Sequence, residues 1–176
     1  MPSHDSGHVE RVVRLARYIA EMEGADVEVV VTAAKLHDIA RVETAENHAI
    51  RGAKIAREML SDRDPEFVER VAHCIESHSF SSGVKPETLE AKVLSDADKL
   101  DAMGAVGVAR AFLYSGERGR SIEETLKHFE DKLLKLKGCL YTETARKIAR
   151  KRHDFMLEFY ERLKGELELR DVGNED

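Results

Sequence analysis

The chain has 176 residues, which fits one domain and leaves little room for two. A formal net charge of -6 argues against nucleic acid as a main partner, because binding a phosphate backbone needs a basic patch. Cys74 and Cys139 are too far apart in sequence for a CxxC pair, so no disulfide framework is indicated, and no apolar run approaches the ~18 residues of a membrane span. The polar start MPSHDSGH has no apolar leader core, and a cytoplasmic location is expected. Composition leaves the oligomeric state open.

Helical periodicity dominates the chain and predicts an all-α single-domain bundle over 1–169 with a frayed tail over 170–176. The first helix is expected over His8–Glu23, with Val12, Leu15, Ala16 and Ile19 on one face and Gly24 as its stop. A Val-rich second helix follows over Asp26–Ile39. A third spans Ala45–Leu60. A fourth starts at Asp64-Pro65, a capping residue followed by proline, and runs to His78. Ser79–Lys85 reads as a loop, and a fifth helix starts after Pro86 and runs through Leu94. A sixth, over Leu100–Tyr114, continues it or follows a short break. Ser115–Arg120 reads as a second loop. Ser121 with Glu124 forms a capping box before helices over Ile122–Leu136 and Thr142–Leu169. Both Gly-containing loops are candidates to gate a site.

The informative residues are polar ones lying on apolar stripes. His8 shares a face with Val12, Leu15 and Ile19, and His37 follows Val30, Ala33 and Ala34, with Asp38 beside it. His48 shares a face with Gly52 and Ile55. His78 extends the stripe of Val71, Cys74 and Ile75, and Asp98 lies four residues after Leu94. Burying such groups costs several kcal/mol unless they are paired or hold a metal, so five helices doing this together point to a divalent cation site. Imidazole with carboxylate suits Mn, Fe, Ni, Co or Zn and suits Ca poorly. His73, His128 and His153 fall off their apolar stripes and read as surface residues. His4 is either at the mouth of the site or an ordinary terminal residue.

The ordered set His8, His37-Asp38, Asp98 resembles the H…HD…D signature of HD-domain metal-dependent phosphohydrolases. The segments HDSGHVERV (4–12), AAKLHDIA (33–40) and SDADKLDA (95–102), with Gly104, Gly107 and Arg110, resemble the small stand-alone members of that family. The resemblance implies an HD-type helical bundle with a divalent ion (Mn, Ni, Co, Fe, Zn or Mg) on His8, His37, Asp38 and Asp98. It implies a phosphate ester substrate, in particular a nucleotide, with release of pyrophosphate from triphosphates as one form of the reaction. His48 and His78 stand where some relatives hold a second ion, or they bind phosphate. Asp38, Asp101 and Lys99 are the candidate catalytic residues. Arg11, Arg110 and His4 are the candidate substrate contacts, though arginines at such places are also ordinary surface cations. Two rival functions share these residues: a di-iron oxygenase, which requires His48 and His78 as ligands, and a catalytically silent nucleotide sensor.

Overall fold

The structure is a computed structural model that describes residues 6–41, 48–79 and 82–172. These residues form eight α-helices, one 3-10 helix and no strand. In chain order the helices are α1 (Ser6–Glu23), α2 (Val27–Leu36), α3 (His48–Met59), α4 (Pro65–Ser77), α5 (Leu89–Asp101), α6 (Gly104–Glu117), α7 (Ile122–Asp131) and α8 (Glu143–Leu167). The 3-10 helix, Leu133–Cys139, lies between α7 and α8. None of the described helices is long and apolar enough to cross a membrane.

The helix starts follow local chemistry. Asp26 caps α2 by accepting from the amides of Glu28 and Val29, and Asp64 caps α4 by accepting from Phe67, with Pro65 at the first helical position. The capping box of Ser121 and Glu124 opens α7 as expected. Thr142 caps α8, and the Glu23 carboxylate at the end of α1 accepts from the Thr144 amide at 2.7 Å. That contact also favours the ionised carboxylate and holds the Glu23 pKa below its ordinary value.

Several boundaries differ from the sequence expectation. α2 ends at Leu36 rather than Ile39. The Ile39 amide bonds to the Leu36 carbonyl and the Arg41 amide to the Asp38 carbonyl, so the chain tightens into turns over 37–41. α5 continues past Leu94 to Asp101 because nearly every side of it is buried, which a one-sided pattern does not capture. Ser115 is buried within α6 rather than in a loop. The Arg120 amide returns to the Ser115 carbonyl and Gly119 sits at φ +63°, a glycine-ended helix stop. That confines the loop expected over 115–120 to the few residues after Glu117. The helix expected over Ile122–Leu136 breaks at Lys132, where ψ is -59° and φ is -134°, and resumes as the 3-10 helix that buries Leu133 and Leu136 at its three-residue spacing.

α1, α2, α4 and α5 pack around a core that includes Val12, Ile19, Val29, Val30, Val71, Ile75 and Leu94. α3 lies on α4. Gly52 permits this approach, since a Cβ there would come within 3.3 Å of Ile75 and 3.5 Å of the His37 carbonyl oxygen. The second half joins through Phe112 of α6, Phe129 of α7 and Phe159 of α8, whose ring centroids lie 5.9 to 6.2 Å apart. Asp96 of α5 is fully buried and ties this half to the first. Its carboxylate accepts from the Tyr141 amide at 2.9 Å, the Thr142 amide at 2.7 Å and the Thr142 hydroxyl at 2.8 Å. Asp96→Ala strands the buried Thr142 amide and hydroxyl and the part-buried Tyr141 amide, so it is expected to lower unfolding free energy by about 3 kcal/mol. Urea denaturation of the two proteins at neutral pH measures this.

Candidate metal centre

Each buried histidine comes from a different element. His8 sits in the first turn of α1, His37 just past the end of α2, His48 at the first residue of α3 and His78 just past the end of α4. All four are buried. Their ring centroids form a chain, with 5.3 Å from His8 to His37, 5.2 Å from His37 to His78 and 5.3 Å from His78 to His48.

Hydrogen bonds fix which ring nitrogen faces inward. His37 Nδ1 donates to the Ala34 carbonyl at 2.8 Å, and His78 Nδ1 donates to the Ile75 carbonyl at 2.6 Å. His8 Nδ1 bonds Asp101 Oδ2 at 2.7 Å. A carbonyl only accepts, so each of these two Nδ1 atoms carries the proton and each Nε2 presents a lone pair. The three Nε2 atoms face the carboxylates of Asp38 and Asp98.

His8 Nε2 lies 3.6 Å from Asp38 Oδ2 and 3.5 Å from Asp98 Oδ1, and His37 Nε2 lies 3.8 and 3.9 Å from the same atoms. The two Nε2 atoms are 3.3 Å apart. Donors about 2.1 Å from a shared tetrahedral centre are spaced about 3.4 Å. Two overlapping groups, His8 with His37 and Asp98, and His37 with Asp38 and His78, each bring their donor atoms within 4.8 Å of one another and could hold a metal ion. The other Asp38 oxygen, Oδ1, faces His48 Nε2 at 3.9 Å and His78 Nε2 at 4.0 Å. His48 Nε2 is buried with no hydrogen-bond partner, which is unusual for a polar atom.

Electrostatics match a site built for positive charge. Burial works against charge on Asp38, yet the hydrogen bond with His8, the charge of His37 and the Arg41 guanidinium hold its carboxyl far below the usual range. Burial likewise opposes ionisation of Asp98, and His37, His78 and His8 together pull its pKa down. Burial would lower the His8 pKa, but bonds to Asp101 and Asp38 with the charge of Asp98 raise it to about 9. Burial dominates at His78 and pushes it down. Without a metal, the His8 proton partly balances the two carboxylates.

Asp101 stands behind His8. It accepts from His8, from Arg11 Nε at 2.7 Å and from Arg110, which also reaches the Asp101 carbonyl at 3.2 Å. These partners overcome its burial and lower its pKa to about 2. Lys99 is buried. Its amine donates to the Ser95 hydroxyl and carbonyl, and the Ser95 hydroxyl donates to the His78 carbonyl at 3.1 Å. Burial lowers the Lys99 pKa.

A cavity of about 630 Å³ opens over the cluster. His8, His48, His78, Asp98, Lys99 and Arg110 line it, and so does Arg41, whose guanidinium is 3.1 Å from Asp38 Oδ1. Of the expected substrate contacts, Arg110 faces this cavity. Arg11 faces a smaller one, of about 260 Å³, with Arg14, Tyr18 and Arg152. His4 lies outside the described residues.

The histidine expected at the surface on α7, His128, instead lines the large cavity, with Tyr114, Lys132, Leu133 and Leu136. Its position off the α7 stripe is real, but the space it faces is enclosed by α6 and the 3-10 helix. Another expected surface residue, His153, is half-buried with an unpartnered Nδ1, while His73 is half-exposed and accepts from the Glu87 amide at 3.3 Å. Arg41 was legible as a cation three residues after Asp38. Nothing in the sequence pattern singled out Tyr114 or pointed His128 toward a site.

The HD-domain family model matches residues 6–103. The uncharacterised protein YpgQ of Bacillus subtilis (strain 168) is 39% identical, over 93% of this chain and 84% of its own length. A crystal structure of Bacillus subtilis YpgQ in complex with ADP superposes with a TM-score of 0.79, at 35% identity, covering 99% of this chain and 92% of that one. A predicted HD-superfamily hydrolase from an uncultured Thermotogales bacterium gives a TM-score of 0.69 at 36% identity, covering 94% of this chain and 83% of that one. The ordered ligand set, the helical architecture and these relatives agree: this chain belongs to the HD-domain family.

Proposed function

We propose that the protein is a metal-dependent phosphohydrolase acting on a nucleotide, with a divalent ion held by His8, His37, Asp38 and Asp98. The observation that carries this reading is the convergence of two histidine Nε2 atoms, 3.3 Å apart, each 3.5 to 3.9 Å from an oxygen of Asp38 and of Asp98, beneath a cavity of about 630 Å³. That volume lies in the range of small-molecule sites. The ADP complex of YpgQ supports a nucleotide as the ligand class.

A bound divalent ion supplies a water of lowered pKa and polarises a phosphoryl oxygen. The chain's own groups do the rest. The ionised Asp38 carboxylate orients the attacking water by accepting its hydrogen bond. The water oxygen attacks phosphorus in line, and the bond from phosphorus to the leaving oxygen breaks. Lys99, Arg41 and Arg110 offset the charge on the phosphoryl oxygens. Arg110 Nε is buried with no partner in the protein, which suits a donor kept for an anion entering the cavity. Asp101 acts as a positioning residue, holding His8 in the tautomer and orientation that direct Nε2 inward. A triphosphate attacked at its α-phosphorus would release pyrophosphate.

A second ion is favoured by one specific arrangement. Asp38 turns one oxygen to His8 and His37 and the other to His48 and His78, and His48 Nε2 has no partner. On this reading His48 and His78 are ligands of a second ion.

The first experiment measures phosphate and pyrophosphate release from nucleoside mono-, di- and triphosphates with Mn, Ni, Co, Zn or Mg. Metal-dependent release from one class is expected, reduced roughly 100-fold or more in Asp38→Ala. Absence of release with every metal would overturn the phosphohydrolase reading. In Asp101→Asn, metal affinity read by titration is expected to fall about 10- to 100-fold, because the bond that orients His8 is weakened. Metal content per chain in saturating Mn is expected near two, falling to near one in His48→Ala. A wild-type value firmly near one removes the second ion.

A further inference from the structure

We propose that Tyr114 on α6, His128 on α7 and Lys132 just beyond α7 form a wall that receives the nucleoside half of the substrate. The wall lies outside residues 6–103, the part that matches the HD-domain model. The inference rests on the nucleotide reading above and extends it to where the base and sugar go.

The cavity is larger than a phosphate group requires. The His/Asp cluster supplies only part of its lining. One further wall, contributed by α6, α7 and the 3-10 helix, is built from Ala111, Tyr114, His128, Lys132, Leu133 and Leu136. Its chemistry differs from the cluster's. Three aliphatic side chains and one ring suit a flat, weakly polar group such as a nucleobase, whose faces lose little on leaving water. None of these six residues is a carboxylate, so nothing here competes for or repels a bound metal-phosphate group.

The two polar side chains suit the edge of a base or a ribose better than a second phosphate cluster. Burial, with the charges of Lys132 and Arg120, holds the His128 pKa below its ordinary value. The imidazole is therefore neutral near pH 7, with one donor and one acceptor. Lys132 is exposed at the rim and donates. Every base offers ring-nitrogen or carbonyl acceptors, so these groups supply grip with little choice among bases.

The wall is also held in shape. Leu133 and Leu136 are anchored in the core, and Phe129, one residue after His128, packs between Phe112 and Phe159. The Tyr114 ring is half-buried, with the Arg118 guanidinium 3.8 Å from its centroid and Arg120 at 5.6 Å. Such stacking fixes the ring at the edge of the cavity. A preformed surface binds without the cost of ordering loose side chains.

The rival assignment gives Lys132 and His128 to the far phosphates of a polyphosphate chain. Two probes that resist hydrolysis separate these: α,β-methylene-ADP and methylenediphosphonate, which differ by the nucleoside alone. Each is titrated calorimetrically into the full-length Mn-loaded protein and into the double variant His128→Ala, Lys132→Ala. The wild type is expected to bind the nucleotide analogue at least about tenfold tighter than methylenediphosphonate. The double variant is expected to lose most of that difference while its affinity for methylenediphosphonate stays within about twofold, which also shows that it is folded. Equal weakening of both probes, or no change in either, overturns the assignment. A wild type that binds methylenediphosphonate as tightly as the nucleotide overturns it too, while leaving a phosphohydrolase standing. A wild type that binds neither removes the nucleotide reading along with it.

Discussion

Four buried imidazoles crowd around two carboxylates, and the rest of the structure is arranged around that constraint. Groups of this kind are costly to remove from water, and partners offset the cost. The protein meets it with backbone. The carbonyls of Ala34 and Ile75 are left over at the ends of α2 and α4, and they take the outward nitrogens of His37 and His78. Placing both histidines just past a helix end therefore solves two problems at once. It satisfies an orphan carbonyl, and it sets the ring tautomer.

α5 connects this centre to everything else. A helix covered on nearly all sides is normally apolar throughout. α5 instead buries Ser95, Asp96, Lys99 and Asp101, and the Lys99 amine bonds Ser95 within the same helix. Asp96 reaches the start of α8, Asp98 the cluster, Ser95 the end of α4, and Asp101 both α1 and α6. These four directions follow from the ~100° turn per residue of a helix. The single segment SDADKLDA thus carries the register of the whole bundle.

The fold was legible because its elements announce themselves locally. Asp64-Pro65 and the Ser121–Glu124 box mark helix starts by chemistry that needs no tertiary context, and both are found where expected. The cluster was legible because histidine and aspartate on apolar stripes require an explanation wherever they occur. What the sequence concealed depended on long-range packing. α5 was cut short because an all-round buried helix has no stripe to read. The break at Lys132 arises from the demand to bury Leu133 and Leu136 against other helices, not from a turn signal. His128 reads as exposed on α7 alone, and only the arrangement of α6, α7 and the 3-10 helix encloses the space before it.

The bond between His8 and Asp101 spans 93 positions of sequence, and that between Arg11 and Asp101 spans 90. No short segment holds a complete set of ligands. On a chain made from its N-terminus, His8, His37, Asp38, His48 and His78 all leave the ribosome before Asp98 and Asp101. Loop closure across such separations comes late in folding. On the proposed metal-binding reading, capture of an ion in the finished arrangement waits until α5 has docked against α1. The cluster then reports on completed assembly: a chain that held an ion in this geometry would already have brought its first helix and its fifth together.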